Sequence, residues 1–169
     1  SFREIVNFSK ECFEAYSNQL QQEQKLTEVM RSRIGATDAE IESVRALASA
    51  QQKLGVVGDE VALAGAQQLA TFARNTDTIN TLIPAMENLA VQQNGVNVTS
   101  GNMVSIANLM GKALQGQVGA LSRVGISFTE AQEKVLKYGT EQERAATLAQ
   151  VITDNVGNMN EVLAQTPEG

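Results

Sequence analysis

Apolar residues recur along this chain at steps of three and four, the spacing that lines one face of a helix. From Ser1 to about Ile34, Phe2, Ile5, Phe13, Tyr16 and Leu20 mark such a face. The pattern fades through SNQLQQEQK (17–25) and resumes at Leu26, Val29, Met30 and Ile34. A long helix with a polar waist predicts an N-terminal arm (1–34) that projects or pairs with another chain, ahead of a helical globular domain (35–169).

Punctuation divides the rest. Gly35 is placed to cap the first helix, and Thr37 with Glu40 forms a capping box for the second. That helix runs to Leu54 with Ile41, Val44, Leu47 and Ala48 inward. Gly55 and Gly58 form a turn, and Asp59 is placed to cap a third helix. The buried line there is Val61, Gly65, Leu69 and Phe72, with Gly65 admitting a close neighbour.

A fourth helix over about 77–93 carries Ile79, Leu82, Ile83, Met86 and Leu89, and Pro84 within it predicts a kink or brief break. Residues 95–101 read as a loop. The fifth helix presents Met103, Ile106, Met110 and Ala113 and ends at Gly116. A short helix over 117–124 closes at Gly125. Thr129 with Gln132 and Thr140 with Glu143 make two more capping boxes, for a helix ending at Gly139 and a last one carrying Ala145, Leu148, Ile152, Val156 and Met159. Thr166-Pro167 ends it. The expectation is an all-α, compact multi-helix bundle of short and medium helices, with a longer helix at the N-terminus.

Composition narrows how such a bundle is packed. Hydrophobic residues are 43% of the chain but aromatics only 4%, with no Trp. The core must be Ala, Leu, Val, Ile and Met, which suits closely packed helices. A formal net charge of -6 and a pI near 4.7 argue against nucleic acid or an anionic membrane as partner, since both reward clustered Lys and Arg. No apolar run approaches the roughly 20 residues that span a bilayer. The start, SFREIV, has neither an initiator Met nor a signal-peptide shape and is read as the cut end of a fragment.

Candidate chemistry is sparse. There is no His, which removes the commonest general base and metal ligand. Cys12, the sole cysteine, sits near Glu11 and Glu14, a poor setting for a nucleophile. Glu42-Ser43 matches the Glu-Ser pair of lytic transglycosylases, but no GLMQ-like run follows it. In DNVGNMNE, Asp154, Asn158, Asn160 and Glu161 suggest a calcium loop, yet Val156 and Met159 stand where a ligand and a glycine are needed. Gly111-Lys112 lacks the spacing of a phosphate loop. Asn97-Val98-Thr99 is a chance-level glycosylation triplet. The reading is no catalytic residue, cofactor or metal.

One stretch stands out. Between Glu87 and Arg123 the only charged residue is Lys112, while Asn, Gln, Gly and Met abound. Such a stretch is either the most buried part of the domain or an adaptable partner contact through Met103, Met110, Gly116, Gly119 and Gly125. The three glycines serve close helix packing in either case.

The runs LGVVGDEVALAGAQQLATFAR (54–74) and MGKALQGQVGALSRVGISFTEAQEKVLKYGTEQERAATLAQVI (110–152) resemble the segment shared by tail tape measure proteins of long-tailed bacteriophages and prophages. The match is densest at 115–145, and the first 50 or so residues match only in helical character. The resemblance implies a very long, mainly helical chain that lies inside the growing tail tube and fixes its length. A helix rising about 1.5 Å per residue makes chain length a ruler. It further implies several copies side by side, contact with tail tube, tail-tip and tail assembly chaperone proteins, and residence in the virion tail or, during assembly, the bacterial cytoplasm.

Frequent glycine stops make this segment a poor ruler. It reads as a folded piece near one end, serving self-association or docking to tail components. Two competing readings are a peptidoglycan-degrading helical module, which the missing motif disfavours, and a generic helical interaction adaptor using the charge-poor middle as a groove.

Overall fold

The computed structural model describes residues 2–165 and is helical throughout, with no strand among the described residues. The helices are α1 (Phe2–Ile34), α2 (Asp38–Leu54), α3 (Asp59–Ala70), α4 (Thr76–Asn94) and α5 (Ser100–Leu114). They continue as α6 (Gly119–Ser122), α7 (Glu130–Tyr138), α8 (Glu141–Val156) and α9 (Met159–Ala164). The all-α bundle with a long first helix is what the periodicity predicts.

Two helices form the centre. α3 packs against α1, α2, α4 and α5, and α4 against α2, α3, α5, α8 and α9. α3 is buried nearly all round, through Ala62, Leu63, Ala64, Gly65, Ala66, Leu69 and Ala70. Small side chains make this possible, since helices whose contacts are Ala and Gly approach closely. A Cβ on Gly65 would lie 2.6 Å from Met103 Cγ and 2.7 Å from Met86 Sδ, so the predicted close approach is real. The expected line Val61–Phe72 is too narrow: Val61 and Phe72 are only half-buried, while Ala62, Leu63 and Ala66 lie inside.

The capping boxes at Thr37/Glu40, Thr129/Gln132 and Thr140/Glu143 are all formed. Their carboxylates respond accordingly. Backbone N–H donation from Thr37 and Thr140 pulls Glu40 and Glu143 below the usual range. A fourth box, Thr99/Asn102, starts α5 at Ser100 and shortens the expected 95–101 loop.

Three local expectations are corrected. Asp59 does not cap α3: Gly58 holds the cap position without a side-chain bond, and Asp59 is the first helical residue. α4 runs unbroken across Pro84, because packing on five neighbours outweighs one lost backbone bond. The last helix stops at Val156, where Gly157 at φ +63° turns the chain before α9 begins. The expected end at Thr166-Pro167 lies outside the described residues.

A polar knot ties the C-terminal third to the centre. Glu141 accepts the Arg74 backbone N–H at 2.9 Å, Asn75 Nδ2 at 2.7 Å and Thr78 Oγ1 at 2.9 Å. One turn later, Arg144 donates to the carbonyls of Gly139 (2.8 Å), Leu114 (3.2 Å) and Lys137 (2.6 Å). All three carbonyls lie near helix ends, where acceptors outnumber partners.

Candidate interaction surface

α1 divides into two halves. Leu26 and Met30 are wholly buried on α3 and anchor the inner half in the core. Over the outer half, Ile5, Phe8, Phe13 and Tyr16 are 65–69% exposed, and Val6 and Leu20 are also solvent-facing. At 1.5 Å per residue, positions 3–14 extend roughly 18 Å from the globule. A water-facing row of large apolar side chains on a projecting helix is the largest uncovered apolar feature among the described residues.

The polar waist is the point of attachment. Gln19 Nε2 donates to Asp59 Oδ2 at 3.0 Å, and Gln67 Nε2 donates to Gln22 Oε1 at 2.7 Å. Arg45 donates to Thr27 Oγ1 at 2.9 Å and the Glu23 carbonyl at 3.3 Å. Amide and hydroxyl side chains therefore dock this stretch on α2 and α3, and the inner half of the helix belongs to the globule.

Two clefts open where the arm leaves. One, of about 400 Å³, lies among Tyr16, Asn18, Gln19, Gln52, Asp59 and Glu60. A wider one, of about 790 Å³, is lined by Gln19, Glu23, Glu42, Arg45, Lys53 and Asp59. The first is acidic: burial, then the Glu60 and Glu23 charges, push the Asp59 carboxyl up.

The residues marked by the charge-poor stretch do not share a surface. Met103 and Met110 are wholly buried and pack the α3–α5 core. Gly116 at φ +94° and Gly125 at φ +76° supply turns that L side chains rarely adopt. Gly119 faces open space. Close packing falls instead to Gly65, Gly111 and Gly55, which abut Met103, the Phe72 ring and the Asn160 side chain.

Two features escape the sequence pattern. Phe8, three residues after Ile5, completes the exposed row on the arm. Glu87, on the central helix α4, is 0% exposed, and neither carboxylate oxygen has a hydrogen-bond partner. Burial alone raises its pKa from 4.5 to about 8, which keeps it protonated at neutral pH. Its only signal in the sequence is an acid set between Met86 and Leu89.

Elsewhere, Glu42 and Ser43 are exposed, and Ser43 donates to its own helix at the Glu40 carbonyl. Asn160 is a buried staple rather than a calcium ligand. No group of three His, Cys, Asp or Glu among the described residues could hold a metal ion, and no helix there is long and apolar enough to cross a membrane. In comparisons with known proteins, no family model, curated protein or solved structure matches the chain.

Proposed function

We propose that this chain is a structural and assembly segment of a phage tail tape measure protein. It contributes to tail assembly and length determination by self-association or by docking to tail components, in the virion tail and, before that, in the bacterial cytoplasm. Two things support the reading: the resemblance carried by 54–74 and 110–152, and the form of the molecule. The supporting structural observation is the exposed apolar row of the α1 arm, a contact feature standing clear of a well-packed globule. The bundle itself suits a fixed attachment module better than an extended ruler, since helices broken by glycine turns cannot set length in proportion to residues.

Deletion of the segment from its parent gene tests this. Tails of normal length with failed initiation are the expected result. Tails shortened in proportion to the deletion would show that the segment is ruler, and normal virions in normal numbers would remove it from tail assembly. Neighbouring genes encoding tail tube and tail-tip proteins are expected.

A further inference from the structure

The geometry points to Asn94–Gly95 as a site of spontaneous amide loss that the last turn of α4 holds silent, and whose conversion opens that same turn.

The dipeptide carries the chemistry. The attacking group is the backbone nitrogen of the residue after the asparagine, and glycine there offers no side chain to obstruct the approach. Asn94 is the only asparagine of the chain that precedes glycine. In the reaction the Gly95 nitrogen bonds to Asn94 Cγ and gives up its proton, while the Cγ–Nδ2 bond breaks and ammonia leaves. The cyclic imide then takes up water at either of its carbonyls. One opening gives aspartate; the other gives isoaspartate, whose main chain runs through the side-chain carbon. Asn94 is exposed, so water reaches the site.

Both reacting groups are restrained in the fold. Asn94 is the last residue of α4, and Gly95 is its C-cap. The Gly95 N–H donates to the Val91 carbonyl at 2.7 Å. Asn94 Nδ2 donates to the Ala90 carbonyl at 3.1 Å, one turn back along the helix. That bond draws Cγ toward the preceding turn and away from the nitrogen that would attack it. Ala90 and Val91 are themselves buried, which anchors both acceptors in the core. Cyclisation therefore requires the two bonds to open together, a fraying of one turn rather than unfolding of the bundle.

The products cannot rebuild the turn. Each carries a carboxylate at neutral pH, and a carboxylate has no hydrogen to donate to the Ala90 carbonyl. Its charge stands at the C-terminal end of α4, where the helix's own partial charge is also negative. Isoaspartate further lengthens the main chain by a carbon and carries the Gly95 N–H out of register with Val91. Just beyond, Val96 and Asn97 border a cleft of about 370 Å³ with Gln52 and the turn from Gly55 to Gly58. Loss of the turn frees that side of the cleft.

Peptide mapping of the 169-residue chain after ageing at mildly alkaline pH, folded and in urea, tests the site. In urea Asn94 is expected to convert ahead of every other asparagine, with isoaspartate among the products. In the folded chain its conversion is expected to be roughly thirty-fold slower, the factor that two ordinary hydrogen bonds supply. Another asparagine converting first in urea, or equal rates in the two states, would overturn the proposal. Asn94→Asp supplies one product directly. It is expected to speed hydrogen exchange of the Gly95 N–H about tenfold, through one lost side-chain bond and an unfavourable helix-end charge. Exchange as slow as in the natural chain would overturn the claim that conversion opens the turn.

Discussion

Asn160 and Val56 join the two ends of the globule: the Asn160 side-chain oxygen accepts the Val56 backbone N–H at 2.8 Å across 104 residues of chain. The Asn160 backbone N–H in turn donates to Asn88 Oδ1 at 2.9 Å, so α9 is stapled both to α4 and to the α2–α3 turn. Gly55 leaves the room for this, since a Cβ there would overlap the Asn160 amide. Asn160→Ala strands a partly buried N–H and is expected to cost roughly 2 kcal/mol in urea unfolding. Gly55→Ala should cost a similar amount by displacing the same side chain. The double variant should cost clearly less than the two singles added; strict additivity would mean the contact is not the shared cause.

Glu87 makes stability depend on pH. Its carboxyl is raised from 4.5 to about 8 in the fold, so the folded state holds a proton that the unfolded chain gives up. The contribution is complete below about pH 4.5 and is lost as pH rises through about 8. It amounts to something on the order of 5 kcal/mol over that window. Glu87→Gln should match the natural chain near pH 4.5 and be distinctly more stable at pH 9. Parallel curves of unfolding free energy against pH for the two proteins would refute this.

Gly65→Val places two methyl groups where Met86 and Met103 already sit. A loss of roughly 3 kcal/mol is expected in thermal or urea unfolding, the upper range for overpacking. Adding Met86→Ala should recover part of it, since the removed sulfur and methyl make the room the valine needs.

The two halves of α1 should respond oppositely to truncation. Leu26→Ala removes a wholly buried side chain and should cost about 3 kcal/mol. Ile5→Ala, at a largely exposed position, should leave the stability of the single chain within about 0.5 kcal/mol. Equal losses at the two sites would mean the outer half packs on the globule.

Local signals in the sequence read well where the cause is itself local. Thr followed three residues later by Glu or Gln specifies a reciprocal pair of hydrogen bonds within one turn, and the boxes at Thr37, Thr129 and Thr140 form as expected. Thr99 escapes because Asn102 does the work usually given to Glu or Gln. The stop at Gly157 is hidden because Val156 and Met159 keep helical spacing across it. Tertiary causes are less legible. Pro84 promises a break that five packed neighbours prevent, and Glu87 is charged in the sequence but held neutral by the burial around α4. The charge-poor stretch leaves core and partner contact open, and Met103 and Met110 are wholly buried, since low charge marks a core as readily as an interface. On the arm, periodicity identifies the apolar row but not where α3 stops covering it.

Because α1 is one uninterrupted rod from its free outer half to the buried Leu26 and Met30, it has no flexible joint between grip and anchor. Whatever holds the outer half pulls on α3 directly. Tension or torque applied outside the molecule is thus delivered to its most enclosed helix, making the arm a lever on the whole bundle rather than a tether.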